Sequence, residues 1–149
     1  MYRSIAAGML VQEPHRYIDE DLPMEVVSAR QPSDEERRAL LFAWKCVKHV
    51  KSNAIVLSSR NRMLGAGHGQ PNRVDSTMLA IRAAGSRARG SVLASDAYFP
   101  FPDSVELAAE AGVTAIIQPG GSIRDQETIE VVDKAGMAMV LTGVRHFRH

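Results

Sequence analysis

The last five residues of the chain, "RHFRH" (145–149), set two arginines and two histidines side by side. An arginine fork donates two parallel hydrogen bonds to a phosphate or carboxylate, and a histidine exchanges a proton near neutral pH. Arg145 or Arg148 beside His146 or His149 could form an anion site with acid/base capability; the alternative is a frayed basic tail, against which the central Phe147 tilts slightly. "AYFPFPD" (97–103) gathers Tyr98, Phe99 and Phe101 around Pro100, with Asp103 just beyond. Core packing would be better served by Val or Ile, so the stretch points to flat apolar walls for a planar ligand and an acid to read ring N–H donors. "QPGGS" (118–122) would offer main-chain N–H groups to an anion ahead of a helix, although a strand-to-helix turn capped by Ser122 is the weightier reading.

Other segments are more easily excluded from nucleotide or metal chemistry. "GAGHGQPNR" (65–73) lacks the Gly-Lys-Ser/Thr ending of a P-loop, and glycines at 65, 67 and 69 do not match the dinucleotide fingerprint. Its glycines are read as admitting a close backbone approach, with Gln70, Asn72 and Arg73 pointing into a site. Asn53 in "KSNAIV" stands at a loop-to-strand junction, where Asn most often turns or caps the chain. "KCVKHVKS" (45–52) reads as the solvated face of a helix rather than a nucleic-acid patch. Neither the H-x-E with P-C-x-x-C of zinc deaminases nor H-E-x-x-H occurs, and no metal is expected.

The elements that must position these residues alternate along the chain. "PSDEERRALLFAWKCVKHVKS" carries Ser33 three residues before Glu36, acids early, bases late, and Leu40, Leu41, Trp44 and Val47 at helical spacing. After this helix come "NAIVLSS" as strand, the glycine-rich segment from Leu64, "DSTMLAIRAAGSRA" as helix and "SVLASDAY" as strand. "DSVELAAEAG" follows as a helix with an Asp103/Glu106 capping box, "VTAIIQ" as strand, a helix capped by Ser122, and "MAMVLT" as the last strand. Continuously apolar strands between helices imply a sheet covered on both faces, hence α/β with mostly parallel strands. Ligands in such sheets lie beyond the carboxyl ends of the strands, where "AYFPFPD", "QPGGS" and "GVRHFRH" would share one rim. Residues 1–32, with Pro14, Pro23 and Pro32, read as an extended N-terminal arm that packs on something else, and 33–149 as the domain.

With 149 residues, 45% of them hydrophobic and 23% charged, the chain is long enough for one globular domain with a real core. Eighteen Lys and Arg against 17 Asp and Glu create no general field for nucleic acid or a membrane, so neither is expected as a partner. A single cysteine, Cys46, excludes an intrachain disulfide, and no apolar run reaches spanning length, which together suggest a cytoplasmic protein.

Taken in order, "AAGMLVQ", "RQPSDEE", "WKCVKHVKSNAIV", "GAGHGQPNRVDS", "ASDAYFPFPDSVELAAEAGV", "IIQPGGSIRDQE" and "RHFRH" closely resemble the C-terminal part of the bifunctional purine biosynthesis enzymes. That part belongs to the aminoimidazole carboxamide ribonucleotide (AICAR) transformylase. The resemblance implies formyl transfer from the cosubstrate 10-formyltetrahydrofolate to the 5-amine of AICAR. It also implies a cytidine deaminase-like three-layer α/β/α domain with a mixed, mostly parallel sheet and no zinc. Residue by residue, it places Asn53 at the reacting centre and Arg73 near the carboxamide and formyl groups. Tyr98, Phe99, Pro100 and Phe101 would line the nucleotide and folate pocket, Asp103 would bond the pterin-like ring, and Arg145 would hold the AICAR phosphate. His149 matches the terminal histidine of the family.

The family's "KHxxPxG" motif and its cyclohydrolase domain have no counterpart here, and Lys48-His49 lacks the Pro and Gly that follow. The expectation is therefore a transformylase domain or subunit that needs a partner, as a homodimer or with a chain supplying the missing half. The alternative is a non-catalytic nucleotide- or folate-binding or interaction module derived from that enzyme.

Overall fold

The computed structural model describes residues 2–12 and 22–148. Strands β1 (Tyr2–Ile5) and β2 (Gly8–Val11) pair as an exposed antiparallel hairpin. The remaining strands are β3 (Glu25–Val26), β4 (Ile55–Ser59), β5 (Arg62–Gly67), β6 (Val92–Ser95), β7 (Ala115–Gln118) and β8 (Ala138–Leu141). They form one mixed sheet in the order β3-β8-β7-β6-β4-β5. The β6–β7 and β7–β8 ladders are parallel and the other three antiparallel. Strands β5, β6, β7 and β8 consequently run in one direction, with β4 and β3 opposed.

Successive strand residues face opposite sides, and both sides are covered. Ala54, Val56, Val92, Ala94, Ala115, Ile117, Ala138 and Val140 pack against helix α1 (Asp34–Val47) through Ala39, Leu40, Ala43, Trp44 and Val47. Ile55, Leu57, Leu93, Ile116 and Met139 face the other layer, made of α2 (Arg73–Ala84), α3 (Asp103–Glu110) and α4 (Asp125–Lys134). The result is three layers, α/β/α.

Local chemistry explains where the helices start. Ser33 caps α1 in a complete capping box: its hydroxyl accepts from the Glu36 N–H while the Glu36 carboxylate accepts from the Ser33 N–H. The expected Asp103/Glu106 box is not formed. Pro102 occupies the cap position, and Asp103, now the first helical residue, accepts instead from the Ser104 N–H at 2.7 Å. Helix α4 begins at Asp125 rather than after Ser122, whose hydroxyl accepts from the Arg124 N–H in the turn before it.

The glycine-rich segment from Leu64 begins inside strand β5, which takes in Gly65 and Gly67. Its glycines do admit a close backbone approach, but the neighbour is helix α2. A Cβ on Gly65 would lie 2.2 Å from the Ala80 carbonyl oxygen, and one on Gly67 would lie 1.8 Å from that of Ser76. Only glycine lets α2 sit this low on the sheet.

Residues 22–32 are joined to the sheet by β3 and by Arg30. The Arg30 guanidinium forms a bidentate pair with Glu36 and also donates to the carbonyls of Thr114 and Gly136. Burial would raise the Glu36 pKa, yet hydrogen bonds from Arg30, Ser33 and Thr114 and the Arg30 charge outweigh it and hold the carboxyl at about 2.

Two predictions follow from this packing. Gly67→Ala should destabilise the protein by about 2 kcal/mol or more in denaturant unfolding, because helix backbone must move. Gly8→Ala, with nothing near its Cβ position, should stay within about 0.5 kcal/mol of the parent. Because the Glu36 pKa is depressed on folding, its contribution is complete above about 4.5 and is lost as pH falls towards about 2. The stability of Glu36→Gln, measured across that window, should fall less steeply with acidification than that of the parent.

Candidate functional site

Strands β6, β7 and β8 run in parallel, so the segments leaving them reach the same rim. Strand β4 runs the other way, which brings its beginning, Asn53 and Ala54, to that rim as well. Helix α2 starts there too, with Asn72 as its cap and Arg73 as its first residue.

The deepest group on the rim is Asp96, fully buried one residue past β6. Arg73 Nη1 donates to its Oδ1 at 2.5 Å, the Ala54 N–H donates to the same oxygen at 3.1 Å, and the Ser52 hydroxyl donates to Oδ2 at 2.5 Å. Nη2 of Arg73 donates to Asn53 Oδ1 at 3.0 Å, and Asn53 Nδ2 donates in turn to the Gln70 carbonyl at 3.0 Å. This leaves one amide N–H of Asn53 for a ligand. The tail closes the same cluster: the His146 N–H donates to the Asp96 carbonyl, and the Arg148 N–H donates to the Ser52 hydroxyl.

Further out lie aromatic and cationic groups. The Arg145 guanidinium sits over the Tyr98 ring, 4.9 Å from its centroid, and Arg124 sits 4.8 Å from that of Phe101. Tyr98 and Asp103 are half-buried, while Pro100, Phe101 and Arg145 are exposed. The outer rim thus offers planar apolar surface and positive charge, the inner rim an oriented amide donor. Among the described residues no group of His, Cys, Asp and Glu could hold a metal ion, and no helix is long and apolar enough to cross a membrane.

Residues 1–83 of the chain match the family described as the AICARFT/IMPCHase bienzyme. The chain belongs to that family. It is 56% identical over 146 residues to the bifunctional purine biosynthesis protein PurH of Anoxybacillus flavithermus, and equally to that of Bacillus thuringiensis. Identity to the PurH of Listeria welshimeri is 54%. These alignments take in 98% of this chain and 29% of each relative, so the chain spans less than a third of the proteins it matches. Among solved structures, RibD of Acinetobacter baumannii aligns at a TM-score of 0.49 with 17% identity, over 72% of this chain and 34% of that one.

Of the positions singled out by the AICARFT/IMPCHase resemblance, the structure draws Asn53, Arg73, Tyr98 and Arg145 to one rim. Arg73 is not open to a ligand there, being almost fully buried and held by Asp96 and Asn53. Phe99 is corrected outright. It is fully buried in the core with Ile55, Leu93 and Val105 and cannot line a pocket. His146 is likewise buried, its ring 4.4 Å from Trp44, so it does not join Arg145 in an exposed anion site. The "QPGGS" amides are already used: the Gly120 N–H donates to Gln118 Oε1 and the Gly121 N–H to Asp125 Oδ2, which favours the plain turn. Asn72 serves as a helix cap, and the Gln70 amide donates to the His68 carbonyl. His149 lies outside the described residues.

Sequence reasoning missed Asp96, Ser52 and Arg124. For Asp96 a signal was available: a carboxylate closing a continuously apolar strand must find a cation, since an unpaired buried charge is too costly. Arg73→Met should therefore lower stability by about 3–5 kcal/mol in denaturant unfolding, because it strands the Asp96 charge. Exposed Arg145→Ala should stay within about 0.5 kcal/mol.

Proposed function

We propose that this chain is the AICAR transformylase region of its bienzyme family, working in purine biosynthesis by formyl transfer from 10-formyltetrahydrofolate to AICAR. The observation that carries the reading is the Asn53 amide, oriented as a donor on the rim that also bears Arg145 over Tyr98. Arg145 would take the nucleotide phosphate through charge-assisted bonds. Tyr98, Pro100 and Phe101 would flank the planar rings, with Asp103 reading the pterin-like N–H groups.

In the reaction, the weakly nucleophilic AICAR amine attacks the formyl carbon, a new C–N bond forms, and the carbonyl oxygen becomes an oxyanion. The free Asn53 N–H is suited to stabilise that oxygen, with Arg73 behind it holding the amide in place. Collapse breaks the bond from the formyl carbon to the folate nitrogen, which receives the proton lost by the amine.

Asn53, Arg73 and Arg145 all donate, and none takes up a proton near neutral pH. This favours a partner, a second copy or a chain carrying the Lys-His motif, as the source of proton transfer. It also keeps a second reading, binding without turnover, in play.

The test is an assay of formyl-AICAR formation by this chain alone and mixed with the rest of a related PurH lacking this region. The expected result is turnover in the mixture. Absence of both turnover and AICAR binding in calorimetry would overturn the proposal, and binding without turnover in the mixture would establish the second reading. Arg145→Ala should weaken AICAR roughly tenfold to a hundredfold and leave the phosphate-free nucleoside nearly unaffected; equal losses would remove Arg145 from the phosphate.

A further inference from the structure

We infer that Asp96 is the positioning residue of this rim, setting the direction of the Asn53 amide and tying it to the tail that carries Arg145. The inference rests on the rim being the AICAR site.

An asparagine amide is ambivalent, since either end can be turned towards a neighbour. Arg73 removes the ambiguity because a guanidinium only donates: the Asn53 oxygen must face it, and the NH2 must face Gln70 and the rim. Arg73 in turn is aimed by Asp96, a group that in its charged form only accepts. The same carboxylate grips the residues on either side of Asn53, with Oδ2 accepting from the Ser52 hydroxyl and Oδ1 from the Ala54 N–H.

Control extends to the tail by two routes. The Asp96 carbonyl accepts from the His146 N–H, next to Arg145. Ser52, held by the carboxylate, accepts from the Arg148 N–H through its hydroxyl and donates its own N–H to the Arg148 carbonyl. Asp96 thus links the amide at the proposed reacting centre to the tail at the proposed phosphate end, through its carboxylate and Ser52 on one route and through its own main-chain carbonyl on the other. Asparagine at position 96 would have a single acceptor oxygen and would turn N–H groups towards either Arg73 and Ala54 or Ser52.

The experiment compares the parent chain with Asp96→Asn, with Asp96→Asn combined with Arg73→Met, and with Arg145→Ala. It reads melting temperature, the Asn53 side-chain amide pair in nitrogen-15 spectra (assigned by its loss in Asn53→Ala), and calorimetric affinity for AICAR and for its nucleoside. Asp96→Asn should displace the Asn53 pair and weaken nucleotide and nucleoside alike, by at least about tenfold for a lost charge-assisted contact. The double variant, with no buried charge left unpaired, should regain the parent's melting temperature without regaining the amide signature or affinity. Arg145→Ala should leave the Asn53 pair in place.

Should Asp96→Asn fail to fold, Asp96→Glu takes its place: it keeps the charge for Arg73 but moves the carboxylate by one methylene, and an unmoved Asn53 pair in it would overturn the inference. Recovery of both melting temperature and the parental amide signature in the double variant would reduce the pair to a structural one and overturn the inference. An unmoved Asn53 pair in Asp96→Asn would do the same. If the parent binds neither ligand, the functional proposal fails, while the amide signature still decides whether Asp96 positions Asn53.

Discussion

A carboxylate buried at the end of β6 and the guanidinium brought to meet it constrain much of the rest. Removed from water, Asp96 is tolerable only with a cation and further donors around it, and Arg73, Ser52 and Ala54 provide them. The requirement is geometric as well as energetic, because a guanidinium fork donates along fixed directions. With one nitrogen on Asp96, the other falls on Asn53.

That meeting depends on how helix and sheet are packed. Arg73 opens α2, so its position follows from how α2 lies on β5, and that is set by the missing side chains at Gly65 and Gly67. The direction of β4 matters equally. A parallel β4 would carry Asn53 to the far end of the sheet; the antiparallel one returns it beside the carboxyl ends of β6, β7 and β8. The rim therefore combines one strand's start with the exits of four others, which is how residues from 52 to 148 come to share one network.

Away from this rim, the structure closes with ordinary devices. Arg30 and the depressed Glu36 carboxyl fasten the arm to α1 and to the beginning of β7, at the opposite end of the sheet. His146, which in the sequence looked like half of an acid/base pair, is buried with its ring tilted against Trp44. Tyr98 and Phe101 reach the surface beneath Arg145 and Arg124, whereas Phe99 between them turns inward to the core.

Local order alone determined the alternation of apolar strands with helices, the Ser33/Glu36 start of α1, and the short chemical segments at strand ends, since periodicity and capping act over a few residues. Tertiary structure decided that β4 runs backwards, that the 62–67 segment is a strand under a helix, and that Arg73 serves Asp96. Those outcomes depend on which distant backbones and charges are forced together out of water, and contacts across tens of residues leave no spacing in the chain to read.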